Sequence, residues 1–362
     1  MKLFVTGTRG FPGIMGGVET HCEQLYTRLA RLGVDTTVAR RRPYLTDSNR
    51  GAAPAGIRFA DLYAPRDKHF EAIVHTFLAI IRARRSKADV LHIHGIGPGL
   101  LAPMARLLGL KVVLTVHSFN YDHDKWNAVA KSILRLGEWC SIRWANAVIA
   151  ISDPIRRSLS ERYPKKKINL IYNGVNKVEP TDDRSYLSRI GVGERPYILA
   201  LGRFTPEKGF HDLVEAYAAS GLRGTCDLVI AGAPDHDTDY SRRLVEDARR
   251  EGVILPGFVS GDPLRQLFSG ASLSVLPSYN EGLPIAMLEA MSYGIDIIAS
   301  DIEPNRLPML DDGDFYPVGD TGALAEVLRR KAAEMPKRRH YGLTPFDWDR
   351  IADATLELYK SL

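Results

Sequence analysis

The sequence predicts an α/β protein in two halves of similar size, each a mostly parallel sheet wrapped by helices. Three observations predict it. Short β-rich runs alternate with longer helical patterns along the chain. The alternation lapses once, over a polar stretch from Asn173 to Arg195 that carries Gly, Pro and Asp, and then restarts. Finally, 362 residues with 45% hydrophobic and 25% charged side chains are enough for two sizeable cores.

In the first half, Lys2–Thr6 reads as a strand and Val18–Leu32 as the helix after it. Val34–Ala39 is a second strand, and the spaced Phe, Ile and Leu of His69–Arg84 predict a helix. Val90–Ile93 and Lys111–Val116 read as buried strands around an apolar helix, Leu100–Leu108. Trp126–Trp144 is a long helix, and Ala147–Ile151 and Ile168–Ile171 continue the rhythm. In the second half, strands are predicted at Tyr197–Leu201, Leu228–Ala231, Leu273–Pro277 and Ile295–Ala299. Helices are predicted at Gly209–Ala219, Asp239–Arg250, Ile285–Met291, Asp320–Lys331 and Trp348–Tyr359. Ligands in such sheets bind beyond the carboxyl ends of the strands, so residues just after strands carry the functional signal.

Composition narrows the chemistry. With 48 basic and 43 acidic residues the net charge is +5, which does not demand nucleic acid but favours a phosphorylated ligand or an anionic surface. Basic clusters at Arg40-Arg41-Arg42, at Arg82, Arg84, Arg85 and Lys87, and at Lys165-Lys166-Lys167 read as solvated surface or as contacts to acidic lipid. Cys22, Cys140 and Cys226 form no metal-ligand pattern, and a reducing cytoplasm suits them. The opening Met-Lys-Leu-Phe-Val-Thr-Gly lacks the features of a secretory signal. No charge-free apolar run reaches the roughly 18 residues of a spanning helix, which leaves a peripheral membrane location open.

Four strand-end segments stand out. Gly7 to Glu19 is a glycine-rich loop between a strand and a helix, without the spacing of a dinucleotide fingerprint or the Gly-Lys-Ser/Thr ending of a P-loop. Gly16 and Gly17 open that helix, whose free N–H groups suit a phosphate; a plain flexible turn is the other reading. His92 and His94 leave one strand on a shared face, and His117 ends another before Ser118, Asn120, Tyr121, Asp122, His123 and Asp124. No tight ligand set accompanies these histidines, so no metal is expected. His117 is the chemical candidate, as a hydrogen-bond donor to a sugar or phosphate, and His92 and His94 read as structural.

Arg203 and Lys208 flank a turn and a helix start, where cations oppose the helix dipole unless an anion lies between them. A diphosphate would accept the guanidinium fork and the ammonium point charge. Gly232 and Gly257-Phe258-Val259 offer backbone groups to a flat base. Glu281 precedes an apolar helix and Glu289 interrupts it; an isolated carboxylate there is costly unless paired, and ribose hydroxyls would pair it. Pro284 suits the first helical position. Capping and an ordinary salt bridge are the alternative for the two glutamates.

Together, Gly16-Gly17, His117, the Gly202-Arg203 to Lys208-Gly209 segment and Glu281 with Glu289 resemble the retaining glycosyltransferases of the GT-B fold, in the large family four. The resemblance covers nearly the whole chain. The opening Thr8-Arg9-Gly10-Phe11-Pro12 through Gly16-Gly17-Val18-Glu19 more narrowly resembles bacterial rhamnosyltransferases of capsule or lipopolysaccharide assembly. The resemblance implies two facing Rossmann-like domains with an interdomain cleft: residues 1–178 for the acceptor, residues 179–345 for a nucleotide sugar, and a helix at 346–362 packing back on the first domain. It implies that Arg203 and Lys208 hold the donor diphosphate, Glu289 the ribose, and Glu281 and Leu283 the sugar and phosphate. His117 would meet the transferred sugar, Gly17 would let its loop close on the diphosphate, and Gly257, Phe258 and Val259 would border the base. Where many members have Gly this chain has Pro284, which has no N–H for a phosphate.

The implied reaction moves a hexosyl group, without a metal or cofactor, from a nucleoside-diphosphate sugar to a hydroxyl of a glycan or lipid-linked glycan. The implied setting is the cytoplasm or the inner face of its membrane. A sugar-nucleotide epimerase on the same broad fold and a non-catalytic nucleotide-sugar sensor are the competing readings; a glycogen synthase-like activity is a further substrate alternative.

Overall fold

The computed structural model describes residues 1–51, 53–67, 70–119, 128–234 and 236–362. The chain forms two compact units, Met1–Gly174 with Phe346–Leu362, and Val175–Pro345.

The first unit holds a seven-stranded sheet of β1 (Lys2–Thr6), β2 (Asp35–Arg41), β3 (Ile57–Leu62), β4 (Val90–His94), β5 (Lys111–Val116), β6 (Ala147–Ala150) and β7 (Ile168–Leu170). The order is β3-β2-β1-β4-β5-β6-β7 and every pairing is parallel. Helices cover both faces of such a sheet, so Leu3, Phe4 and Val5, and Val112, Val113 and Leu114, are buried as continuous runs. The helices between the strands are α1 (Gly17–Arg31), α2 (Asp47–Arg50), α3 (Glu71–Arg85), α4 (Ile96–Gly99), α5 (Ala102–Leu107), α6 (Ala128–Trp144) and α7 (Asp153–Arg162). Cys22, Leu25, Tyr26 and Leu29 recur at helical spacing, and α1 buries them.

The second unit has five parallel strands, β8 (Tyr197–Leu201), β9 (Asp227–Ala231), β10 (Leu273–Leu276), β11 (Asp296–Ser300) and β12 (Phe315–Tyr316), in the order β12-β11-β10-β8-β9. Its helices are α8 (Ser185–Arg189), α9 (Phe210–Ser220), α10 (Asp239–Arg250), α11 (Gly261–Gly270), α12 (Ile285–Ser292) and α13 (Thr321–Ala332). Ile198, Ala200, Leu213, Leu228, Ile230 and Val275 form the centre of its core. The last helix, α14 (Trp348–Lys360), belongs to the first unit. The Asp347 carboxylate caps it by accepting the N–H groups of Asp349 and Arg350. Its Trp348, Ile351 and Tyr359 join the core of α1 and β1. Gly174 admits Trp348, since a Cβ at 174 would lie 2.5 Å from the indole.

Several expectations change. The second strand runs on to Arg41, and β3 beside it had no counterpart in the reading of the sequence. Pairing places Arg40 opposite Asp61. The Arg40 guanidinium is buried, donates to both Asp61 carboxylate oxygens at 2.8 and 3.0 Å, and lies 3.8 Å over the Phe59 ring. Arg41 is buried too and pairs with Glu71 at 3.1 Å. Arg40 and Arg41 are therefore interior wiring rather than a surface for acidic lipid, and of the run Arg42 alone is exposed. The helix expected at Leu100–Leu108 is the shorter α5. Pro284 stands just before α12 as its N-cap, not at its first position.

Each sheet has one point where strand order reverses: between β1 and β4 in the first unit and between β8 and β10 in the second. Neighbouring connections leave such a point in opposite directions and open a crevice beyond the strand ends.

Candidate functional site

At the switch point of the second unit, two loops are sewn together. One runs from Gly202 to Gly209 after β8, the other from Pro277 to Pro284 after β10. Gly209 has φ +64°, and a Cβ there would sit 1.9 Å from the Pro277 carbonyl oxygen, so glycine alone lets the backbones meet. The Tyr279 N–H donates to the Glu207 carbonyl at 2.9 Å. These ties set the Lys208 ammonium 2.5 Å from Glu281 Oε1, which also accepts the Ser278 hydroxyl at 2.7 Å. Lys208 is 20% and Glu281 10% exposed, so both still face solvent. One contact leaves Lys208 two further N–H donors. The sequence placed an anion between Arg203 and Lys208; here the anion on Lys208 is Glu281, while Arg203 lies half-buried in the same loop.

The neighbouring strand ends close in behind. A Cβ on Gly232 would lie 1.8 Å from the Gly202 carbonyl oxygen, and the Gly232 N–H donates to the Gly257 carbonyl at 2.8 Å. Gly257 (φ +79°) turns the chain so that Phe258 is 47% exposed while Val259 is buried. Leu283 is buried beneath the second loop. Glu289 lies two turns beyond Glu281, on α12. Loss of water around its carboxyl raises its pKa to about 7. Among the described residues no cation or hydrogen-bond donor pairs with that carboxyl. Tyr293, which feels the Glu289 charge, stacks on Phe268 of α11, the helix that follows Val259.

In the first unit, the glycine-rich loop folds on itself. A Cβ on Gly7 would meet the His94 carbonyl oxygen at 2.2 Å. The buried Glu19 carboxylate accepts from the Thr8 hydroxyl at 3.2 Å and the Arg9 N–H at 3.1 Å, and pairs with the Arg9 guanidinium at 3.3 Å. Burial pushes its pKa up, but Arg9 outweighs that and holds it below the usual value. Arg9 also donates to the Met15 carbonyl at 2.6 Å, so it shapes the loop from within. Gly16, with φ +150°, caps α1 where a Cβ would strike Glu19, whereas Gly17 faces open space.

The histidines form one connected cluster. His92 and His94 stack with ring centres 4.4 Å apart. His94 Nδ1 lies 2.8 Å from His117 Nε2, and His94 Nε2 lies 2.5 Å from the Tyr26 hydroxyl. Tyr26 also reaches His92 Nδ1 at 2.8 Å, and His92 Nε2 meets the Thr115 hydroxyl at 2.7 Å. Burial and the neighbouring imidazoles hold His92, His94 and His117 well below the ordinary pKa, so the cluster is neutral at pH 7. His117 is the partly exposed end of this chain, at the mouth of β5. The expected polar partners Asn120, Tyr121, Asp122, His123 and Asp124 lie outside the described residues, as do His69 and Trp126.

Reading the sequence missed His21. It sits on the buried face of α1, one turn before Leu25, and its Nδ1 donates to the Asn173 amide oxygen at 2.9 Å. That leaves Nε2 as a buried lone pair without a partner among the described residues. The ligand atoms of His21, His94 and His117 lie within 4.8 Å of one another, a set of donor types that suits a divalent transition metal, although His94 and His117 already bond each other. Tyr26 and Tyr359 were also missed. The only signal for His21 and Tyr26 was their place on the apolar stripe of α1.

Two family models match the chain: Glycosyltransferase Family 4 over residues 15–178 and Glycosyl transferases group 1 over residues 188–342. The chain is 30% identical over 312 residues to the alpha-maltose-1-phosphate synthase of Mycolicibacterium smegmatis, covering 76% of this chain and 79% of that one. It is 27% identical over 265 residues to the UDP-Gal:alpha-D-GlcNAc-diphosphoundecaprenol alpha-1,3-galactosyltransferase of Escherichia coli, covering 68% and 67%. Its fold is similar to that of the sucrose-phosphate synthase from Thermosynechococcus elongatus, with a TM-score of 0.84 at 23% identity over 99% of this chain and 98% of that one. Among the described residues, no helix is long and apolar enough to cross a membrane.

Proposed function

Because the chain belongs to the glycosyltransferases of family 4, we propose that it moves a hexosyl group from a nucleoside-diphosphate sugar to a hydroxyl of a glycan or lipid-linked glycan. The anomeric configuration is retained, and the setting is bacterial surface polysaccharide synthesis. The observation that carries this reading is the second switch point, where Lys208, Ser278 and Glu281 stand together and Glu289 lacks a partner among the described residues. A diphosphate answers the free ammonium donors, and a ribose diol answers the unpaired carboxylate.

In the proposed complex, Arg203 and Lys208 neutralise the departing diphosphate without a metal. Glu281, held by Lys208 and Ser278, orients the sugar hydroxyls, and the backbone near Leu283 meets sugar and phosphate. Gly257, Phe258 and Val259 border the base. In the first unit, His117 offers its outer ring nitrogen to the transferred sugar, and Gly16 and Gly17 present the head of α1 to phosphate. The bond from the anomeric carbon to the diphosphate oxygen breaks. The acceptor oxygen bonds that carbon on the same face, and its proton passes to the departing phosphate oxygen.

The opening loop favours a rhamnosyl group, whereas the E. coli relative carries the name of a galactosyltransferase acting on a diphosphoundecaprenol-linked sugar. The test is a donor panel of dTDP-rhamnose, UDP-glucose and UDP-galactose with a lipid-linked acceptor, read by mass and by the anomeric proton signal. Acceptor-dependent release of nucleoside diphosphate with a retained linkage is expected. Binding without release points to a sensor, and an altered sugar nucleotide formed without an acceptor points to an epimerase; either result overturns the proposal.

A further inference from the structure

Helix α6 exposes most of its large apolar side chains. Its inward face sets Ile142 among small and charged residues. A Cβ on Gly137 would lie 2.7 Å from the Ile96 carbonyl oxygen, and Ser141 packs against Gly99 of α4. Glu138 is buried and accepts from the Arg162 guanidinium at 2.5 Å and the Tyr163 hydroxyl at 2.8 Å. The outward face carries the large apolar groups: Ile133 is 47%, Leu136 51%, Trp139 51% and Trp144 40% exposed. Leu107, at the end of the adjoining α5, is 80% exposed. Burying such side chains is worth more than burying glycine and serine, so solvent alone does not account for this arrangement.

Among the described residues, cations border the apolar face. Arg135 and Arg143 are exposed on the same side of α6. Arg106, Arg143 and Lys166 lie close together: after burial, the charges of Arg143 and Arg106 are what hold the Lys166 pKa down. Lys165 and Lys167 are exposed beside them. Among the described residues, none of Arg106, Arg143, Lys165, Lys166 and Lys167 pairs with a carboxylate. Aliphatic and Trp side chains at a helix surface, rimmed by unneutralised cations, match the interface between acyl chains and anionic headgroups.

We infer that the outer face of α6, with Leu107 and the Arg106–Arg143–Lys166 cluster, docks the first unit on an anionic lipid surface. Trp139, Leu136 and Ile133 enter the headgroup boundary while the cations meet lipid phosphates. This moves the membrane-facing surface away from Arg40 and Arg41, which are buried. The inference names the surface that serves the lipid-linked acceptor proposed above and takes its purpose from that reading. Its test uses neither donor nor acceptor, so the two fail separately.

The experiment is co-sedimentation of the full chain with vesicles of phosphatidylglycerol and phosphatidylcholine, against phosphatidylcholine alone. Binding to the anionic vesicles only is expected, weakened by salt, with tryptophan emission moving to shorter wavelength. The Leu136→Ser, Trp139→Ser double variant and the Arg106→Glu, Arg143→Glu double variant should each bind at least about tenfold more weakly. Both should keep their melting temperature. The inference is overturned if the wild-type chain ignores anionic vesicles, or if both variants bind as it does. It is equally overturned if the purified chain is a dimer that Trp139→Ser splits, since the face is then taken by a second copy.

Discussion

The two units solve the same topological problem with opposite electrostatics. At the first switch point the histidines are neutral and the charged pair there, Arg9 with Glu19, is closed on itself: His92, His94, His117, Tyr26 and Thr115 form one hydrogen-bonded chain. At the second, the groups are charged and not fully answered: Lys208 leans on Glu281, and Glu289 has no partner among the described residues. A neutral, self-satisfied cluster is rigid and suits hydroxyl groups, whereas an incompletely paired charged cluster awaits an ionic and hydroxylated ligand. The difference supports the proposal that Lys208 and the second-unit loops take the anionic part of the donor.

The sharpest way to break this comparison is Lys208→Ala. Removing a cation that stabilises a departing diphosphate should lower turnover by about 10²–10³-fold while the melting temperature moves little. Steady-state kinetics beside thermal unfolding check it. The matching change in the first unit should behave the other way. His94→Ala opens a cavity and strands Tyr26 and His117, and should cost roughly 2–4 kcal/mol of stability, measured by urea unfolding.

The units should also respond to pH with opposite sign. Burial lowers the pKa of His21 to about 4, below its unfolded value. The unfolded chain therefore takes up a proton first on acidification. The stability tied to His21 is complete above about pH 6.5 and is lost as pH falls toward 4, by at most about 3 kcal/mol. Glu289 runs the other way: its folded pKa, about 7, lies above the unfolded value, so its penalty grows as pH rises from about 4.5 to 7. Hydrogen exchange at pH 5 and pH 8 should show the first unit loosening in acid and α12 loosening in base. Glu289→Gln should stabilise the free protein at pH 8 by about 1–3 kcal/mol and still weaken donor binding. The smallest effect is expected for Phe258→Ala, a rise of a few-fold in donor KM from a lost face against the base.

Much of the fold was legible because buried parallel strands read as unbroken apolar runs and α1 as a helical stripe. The most consequential gap is one short element. β3 was missed because Phe59-Ala60 breaks the polar–apolar alternation of Ile57 to Leu62, a run of only six residues beside Pro54 and Gly56. Without β3, Asp61 had no place opposite Arg40, and a buried ion pair was read as surface charge. The second-unit loops were legible because their residues fall within a few positions after strands. The first-unit cluster was only partly so, since His21 joins it from a helix and looks like any core residue of that stripe. Helix α6 defeats polarity reading, because Glu138 points in and Trp139 points out.

The central claim is that Lys208, Glu281 and Glu289 form a binding site for a nucleoside diphosphate. Calorimetric titration of the wild-type chain, Lys208→Ala and Glu289→Gln with UDP and dTDP tests it most directly. The account predicts measurable binding of at least one nucleotide to the wild type, and at least about a tenfold loss in each variant with unfolding unchanged or improved. Equal affinity in all three proteins, or no binding of either nucleotide, would contradict it.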